Sequence, residues 1–114
     1  MKKDLLSICD LTRGDVEELI ATARRIKADI PAYYDLLQGR TVVLIFDKPS
    51  LRTRVTFEVA MCQFGGKSLY MPGKDVSLGK RETVADGARN LSRWVDAIVM
   101  RTFGHDIIEE LAEN

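Results

Sequence analysis

Hydroxyl and guanidinium side chains lie close together between a predicted strand and the helix that follows it. They are Ser50, Arg52, Thr53 and Arg54. Ser50 takes the N-cap position of the predicted helix, so the first backbone amides of that helix lack partners and can bind an anion. Arginines at the positive end of a helix dipole are unfavourable unless an anion lies beside them. The segment therefore predicts an anion site, and a phosphate dianion fits it best.

A structural explanation of the same segment stays open. In this explanation Ser50 only caps the helix, while Arg52 and Arg54 pair with surface carboxylates such as Asp47 and Glu58. Residue spacing alone favours neither explanation.

Further cations are available near the same place. Arg101 ends the third predicted strand, and the carboxyl ends of parallel strands meet at one edge of a sheet, so Arg101 is expected beside Ser50. Lys80 and Arg81 belong to a polar loop that starts at Pro72 and is able to close over that edge. Taken alone, such a loop is more typical of a solvated surface.

Other templates for chemistry fail on inspection. Gly66 to Ser68 reads Gly-Lys-Ser, but it precedes a strand and lacks the first glycine of a nucleotide-binding loop. No Gly-x-Gly-x-x-Gly is present. The single histidine, His105, is expected near a helix start, and Cys9 and Cys62 have no partner at metal-ligand spacing, so both are interpreted as reduced thiols and no metal site is predicted.

Composition restricts the class of protein. The 114 residues carry 17 Lys plus Arg against 17 Asp plus Glu, and 46% of them are apolar, which is typical of one water-soluble globular domain. A neutral chain with interleaved charges lacks the basic footprint of a nucleic-acid binder. The longest apolar run, Val42 to Phe46, is too short to span a membrane, so a cytoplasmic location is expected.

Helical and strand patterns alternate along the chain. Apolar residues recur at three- and four-residue spacing in the predicted helices, and the strands are short β-branched runs. The predicted elements are a helix over Thr12–Ala28, a strand over Thr41–Phe46, a helix over Leu51–Phe64, a strand over Ser68–Met71, a loop over Pro72–Lys80, a helix over Glu82–Trp94, a strand over Asp96–Arg101 and a helix over Asp106–Ala112. This order predicts an α/β fold, with a parallel sheet and helices on both faces in a three-layer αβα arrangement.

The sheet is expected to be incomplete. Residues 1–114 are interpreted as one domain that stops shortly after its third strand. An open parallel edge promotes association with other strands. The sequence is therefore interpreted as a piece of a longer chain.

Several motifs resemble one enzyme family. Ser50 to Arg54 reads Ser-Leu-Arg-Thr-Arg and is similar to the Ser-Thr-Arg-Thr-Arg phosphate motif of the aspartate and ornithine carbamoyltransferases. Further segments resemble the same family in the same order: Phe46–Pro49, Val55–Glu58, Gly65–Gly66, Ser77–Thr83 and Asp96–Phe103. The resemblance covers essentially the whole chain.

The resemblance implies a carbamoyl-phosphate-binding domain. In the family this domain precedes a second one that binds the acceptor amino acid, and trimers form active sites between subunits. By position, Ser50, Leu51, Arg52 and Thr53 would hold the phosphate, while Thr53 and Arg101 would polarise the carbamoyl oxygen. The reaction of the family needs no metal and no redox cofactor.

The resemblance also assigns the polar loop. Ser77 occupies the position that contacts the phosphate, in a loop that reaches into the neighbouring subunit's site. Either Lys80 or Arg81 would be the basic residue supplied in trans, and the alignment does not choose between them.

The acceptor implied by the resemblance is ornithine. Leu51, the short loop and Arg101 followed by Thr-Phe favour the ornithine enzymes, whereas Ser77 favours the aspartate enzymes more weakly. Two alternatives stay open: an aspartate carbamoyltransferase, and a non-catalytic anion-binding module. The acceptor motifs of the second domain are not in this sequence, so these residues alone are expected to form half of a site without turnover.

Overall fold

A computed structural model describes residues 3–80 and 82–114. Five helices and three strands occur within these residues, together with 3-10 turns at Ile8–Asp10 and Ile30–Tyr33. In chain order they are α1 (Arg13–Ala28), β1 (Thr41–Phe46), α2 (Leu51–Gln63), β2 (Lys67–Pro72), α3 (Gly73–Val76), α4 (Val84–Trp94), β3 (Ala97–Arg101) and α5 (His105–Glu113). None of the described helices is long and apolar enough to cross a membrane.

The three strands form one parallel sheet in the order β2-β1-β3. Phe46, the last residue of β1, lies opposite Pro72 of β2 and opposite Arg101 of β3. All three strands therefore end at one edge, and the segments that follow them meet there. The predicted α/β fold with a parallel sheet is confirmed.

β1 is the centre of the core. Val42, Leu44 and Phe46 pack on one face against Met61 of α2 and Tyr70 of β2. On the opposite face Val43 and Ile45 are also fully buried. Each such side chain contributes about 1.5–3 kcal/mol when it leaves water. A β-branched apolar run without polar alternation predicts a strand covered on both faces, and this is confirmed for β1.

Local signals explain where the helices begin. Thr12 accepts the amide of Asp15 at 3.1 Å, and the Asp15 carboxylate accepts the amide of Thr12 at 3.0 Å, which completes a capping box at α1. Thr83 accepts the amide of Asp86 at 3.1 Å in the same way at α4. The expected N-cap at Thr12 is confirmed.

At the amino edge of the sheet, opposite the edge where the three strands end, Asp96 joins β1 to β3. Its carboxylate accepts the amide of Thr41 at 2.9 Å and pairs with Arg40 at 3.1 Å. The Thr41 amide, and then the Arg40 guanidinium, hold the pKa of Asp96 below its ordinary value. The ionised carboxylate thus fixes the start of the central strand.

Two expectations about packing are wrong. The apolar face predicted to be buried in the first helix is exposed, with Val16 and Ile20 at 38% and 49% exposure, because α1 packs mainly against the Ile30–Tyr33 turn and not on the sheet. The apolar group around Met61 also predicts Cys62 in the core. Cys62 is instead exposed, because residues adjacent in a helix point about 100° apart.

The predicted loop over Pro72–Lys80 also differs from the structure. It begins within β2 and contains one helical turn, α3, which ends where Ser77 adopts a left-handed backbone with φ of 50°. The pair Gly65–Gly66 predicts the end of the second helix. This is confirmed, because Gly65, one residue past the C-cap Phe64 of α2, has φ of 80°.

Candidate anion-binding site at the carboxyl edge of the sheet

The N-terminus of α2 has no side-chain cap among the described residues. Ser50 stands at the N-cap position, as predicted, but its hydroxyl donates to Oγ1 of Thr53 at 3.0 Å. The first helical bond runs from the amide of Arg54 to the carbonyl of Ser50, so the amides of residues 51–53 precede it. The explanation in which Ser50 merely caps the helix is therefore wrong, and the amides retain their capacity for an anion.

Arg54 is engaged in the fold. Its guanidinium carbon lies 3.5 Å from the centroid of the Tyr70 ring, and its Nε is 3.2 Å from Glu58. Tyr70 in turn meets the Phe46 ring edge-on, with 5.6 Å between the centroids. For this arginine the structural explanation is correct, because the cation fixes α2 to β2.

Arg52 differs from Arg54. Across the described chain, its guanidinium has neither an ion-pair partner nor a hydrogen-bond partner, and it is exposed in the first turn of α2. The proposed pairing with Asp47 is wrong, since that carboxylate accepts a hydrogen bond from Thr102. A lone cation at the positive end of a helix is unfavourable without an anion nearby. Leu51, beside it, is 79% exposed.

Arg101 lies at the same edge. It is the last residue of β3, and its carbonyl accepts the amide of Asp47, the first residue after β1, at 2.7 Å. Its side chain is exposed and makes no hydrogen bond to Ser50 or Thr53 in the part of the chain that the structure describes. The structure therefore joins Ser50 to Thr53 directly and places Arg101 on the neighbouring strand end.

A cleft of about 380 Å³ opens beside these strand ends. Ser77 and Lys80 line it, which places two of the three loop residues predicted from the sequence at this edge. The Ser77 hydroxyl donates to the carbonyl of Lys74 at 2.8 Å, which closes the α3 turn. The third predicted loop residue, Arg81, lies outside the described residues.

Two cleft residues were missed by the sequence analysis. The Thr102 hydroxyl donates to the Asp47 carboxylate at 2.6 Å, across 55 positions of sequence. Both residues directly follow a strand, and polar residues at the carboxyl ends of parallel strands are a general signal for a site. That signal was applied to Arg101 and not to its neighbour.

An aromatic contact borders the cleft. The Lys48 ammonium lies 4.6 Å from the centroid of the Phe103 ring, which joins the segment after β1 to the segment after β3. Phe103 is 74% exposed. A contact of this kind at an exposed position contributes about 0.5–1 kcal/mol.

Comparison with known proteins identifies relatives over the whole chain. A family model described as "Aspartate/ornithine carbamoyltransferase, carbamoyl-P binding domain" matches residues 3–114. The ornithine carbamoyltransferase of Shewanella oneidensis is 51% identical over 111 residues, which cover 97% of this chain and 37% of that protein.

Solved structures agree. The ornithine carbamoyltransferase from Pyrococcus furiosus matches with a TM-score of 0.90 at 46% identity, covering 96% of this chain and 36% of that one. The catalytic subunit of M. jannaschii aspartate transcarbamoylase matches with a TM-score of 0.86 at 30% identity, covering 98% and 38%. The present chain thus spans well under half the length of these relatives.

Proposed function

Because the chain belongs to the aspartate/ornithine carbamoyltransferase family, of which it matches the carbamoyl-phosphate-binding domain, we propose that it supplies the carbamoyl-phosphate half of an ornithine carbamoyltransferase. The reaction transfers the carbamoyl group to the side-chain amine of ornithine and gives citrulline and phosphate. The observation that carries the proposal is the uncapped start of α2, where Arg52 stands without a partner among the described residues.

Phosphate binding is assigned to the start of α2. In this proposal Ser50, the amides of residues 51–53 and the Arg52 guanidinium hold the phosphate group, and Leu51 contributes through its amide alone. The distance of 3.0 Å between the Ser50 and Thr53 hydroxyl oxygens supports this assignment, since both oxygens lie close enough to contact one phosphate group. An anion there satisfies the orphan amides and the helix dipole together.

Carbonyl activation is assigned to Thr53 and Arg101, with Arg52 as the third catalytic residue. The amine lone pair forms a bond to the carbamoyl carbon, and negative charge develops on the carbonyl oxygen. The bond from carbon to the phosphate oxygen then breaks, phosphate leaves with the electron pair, and the amine loses a proton. Preorganised cationic donors stabilise both charges. No metal or redox cofactor takes part in this scheme.

The loop is assigned to binding across a subunit interface. Ser77 would contact the phosphate of a neighbouring subunit, and Lys80 or Arg81 would supply a cation there, within a homotrimer or a multiple of one. The αL backbone of Ser77 and the exposure of Lys80 support a loop that projects from the strand ends.

Ornithine is the acceptor that we favour. The curated relative at 51% identity bears the ornithine name, and so does the solved structure at 46%, whereas two solved structures that bear the aspartate name are 30% and 34% identical. Citrulline formation would place the protein in arginine biosynthesis, in the cytoplasm. We assign residues 1–114 to one truncated domain. We assign ornithine binding to residues outside that domain.

The proposal is tested on the complete gene product. Purified protein is incubated with carbamoyl phosphate and either ornithine or aspartate, and citrulline and carbamoyl aspartate are quantified. Citrulline is expected. Carbamoyl aspartate alone would instead establish the aspartate enzyme, and phosphate binding with neither product would establish a non-catalytic module.

The site assignment is tested by one substitution and a matched control. Arg52→Ala is expected to lower turnover roughly a hundredfold or more, as for the loss of one oxyanion donor. Arg13→Ala removes a guanidinium that pairs with Glu17 at 3.0 Å on the exposed surface of α1, and it is expected to retain activity. Near-normal turnover of Arg52→Ala would overturn the role of Arg52.

A further inference from the structure

We propose that Asp47 is a positioning residue, which holds the end of β3 and the start of α3 in place at the carboxyl edge. The proposal rests on the proposed function, because it assigns Asp47 a role through Arg101 and Ser77. Asp47 is the first residue after the central strand and lines the 380 Å³ cleft with Ser77 and Thr102.

The first observation concerns β3. The Asp47 amide donates to the carbonyl of Arg101 at 2.7 Å, and its carboxylate accepts the hydroxyl of Thr102 at 2.6 Å. Both distances lie within the range of well-formed hydrogen bonds of their kind. Arg101 and the residue after it, Thr102, are thus both bonded to Asp47, the first residue after β1, which fixes the backbone from which the Arg101 side chain extends.

The second observation concerns the loop. Gly73, the first residue of α3, is buried against Asp47, and a Cβ at this position would lie only 2.9 Å from the Asp47 Cα, with its carboxylate closer still. Gly73 accepts the amide of Ser77 at 2.7 Å. The Asp47 side chain therefore packs against the turn that ends at Ser77.

Charge gives the third observation. A carboxylate near a phosphate site opposes anion binding, since like charges repel. Over the described residues Asp47 has no ion pair, and its carboxylate accepts from the neutral Thr102 hydroxyl. Its hydrogen bond to the β3 end therefore explains an acid here, whereas direct contact with the substrate does not.

The test uses four variants of the complete gene product: Asp47→Ala, Asp47→Asn, Thr102→Val and the double variant Asp47→Ala/Thr102→Val. Because small misplacements of catalytic groups are costly, Asp47→Ala and Thr102→Val should each lower kcat about tenfold, with smaller changes in the KM for carbamoyl phosphate. Asp47→Asn keeps an oxygen acceptor and should retain most of kcat. The double variant should lose no more than Asp47→Ala alone, because Thr102→Val removes a hydrogen bond that Asp47→Ala has already removed.

Three kinetic outcomes would overturn the proposal. They are an unchanged kcat in Asp47→Ala, losses that multiply in the double variant, and an Asp47→Asn variant as slow as Asp47→Ala. A merely structural role would lower the amount of folded protein and leave kcat per folded molecule unchanged.

A second measurement separates this proposal from the proposed function. Amide hydrogen exchange is compared between wild type and the two Asp47 variants, at residue 47, which donates to Arg101, and at Ser77, which donates to Gly73. Faster exchange at both amides is expected in Asp47→Ala and not in Asp47→Asn. If wild type forms no citrulline, the proposed function fails, and the exchange pattern alone decides on Asp47: equal exchange in all three proteins would overturn its role.

Discussion

The guanidinium of Arg54 lies over the ring of Tyr70, with 3.5 Å between the guanidinium carbon and the ring centroid. Arg52, two residues earlier in the same helix, has no such partner among the described residues. The two arginines of one short motif thus differ in role: one holds α2 to the sheet, and the other is exposed at the helix start, where an anion is expected.

Parallel substitutions separate these roles. Arg54→Met should lower the free energy of unfolding by about 1 kcal/mol, which is the contribution expected of a half-buried cation–π contact. Arg52→Met should leave unfolding unchanged and weaken phosphate binding. Urea denaturation and calorimetric titration with phosphate measure both quantities on the complete gene product. The reverse pattern would contradict the division.

Gly73 offers a test of packing at the site. Gly73→Ala should destabilise the protein by about 1–3 kcal/mol, because the added methyl group overlaps Asp47 and forces a shift. Gly14→Ala is the matched control: its Cβ meets only the Thr12 hydroxyl at 3.7 Å, an ordinary contact, and alanine favours the helix. Urea midpoints measure the difference, and equal midpoints for the two variants would refute the close approach.

Asp96 predicts a pH dependence at the opposite edge. The Thr41 amide, and then Arg40, lower the pKa of Asp96 in the folded protein. A lowered pKa stabilises the fold above the pKa of the unfolded chain, and this stability is lost as pH falls through the folded pKa. Asp96→Asn should therefore lower the urea midpoint at pH 7, and the difference from wild type should shrink in the acidic range.

Asp35→Asn is the control for Asp96. Asp35 is exposed, and its carboxylate makes no hydrogen bond within the described residues. Asp35→Asn should leave the urea midpoint unchanged at pH 7 and in the acidic range. A difference between wild type and Asp96→Asn that stays constant down to strongly acidic pH would contradict the linkage.

Local signals were sufficient to predict the framework from the sequence. The β-branched run of β1 gave its bounds without error, and Thr12 gave the start of α1, because these features depend on neighbouring residues alone. The parallel order followed from the alternation of the elements. Such signals decide which segments form, and they place Ser50 and Arg101 at one edge.

Contacts between distant residues were not predictable in the same way. The α3 turn depends on packing against Asp47, 26 positions before Gly73, so local signals predict a loop for its segment. The sequence does not distinguish Arg54 from Arg52, because the partner of Arg54, Tyr70, lies on the following strand, β2. The period of α1 specifies an apolar face and carries no information on what covers it.

The loop can be tested by mixing variants. If Lys80 acts in trans, a subunit carrying Arg52→Ala and a subunit carrying Lys80→Ala can together form an intact site. In that site the Lys80→Ala subunit supplies an intact Arg52 at the start of its helix, and the Arg52→Ala subunit supplies an intact Lys80 in its loop. Two nearly inactive gene products, mixed under dissociating conditions and reassembled, should regain activity in about a quarter of their sites by random assembly into a closed ring.

Each variant carried through the same procedure alone is the control. The same experiment with Arg81→Ala in place of Lys80→Ala identifies which cation is supplied. Citrulline formation is measured. If each loop variant alone is inactive and neither mixture regains activity, the loop residues belong to the site of their own subunit.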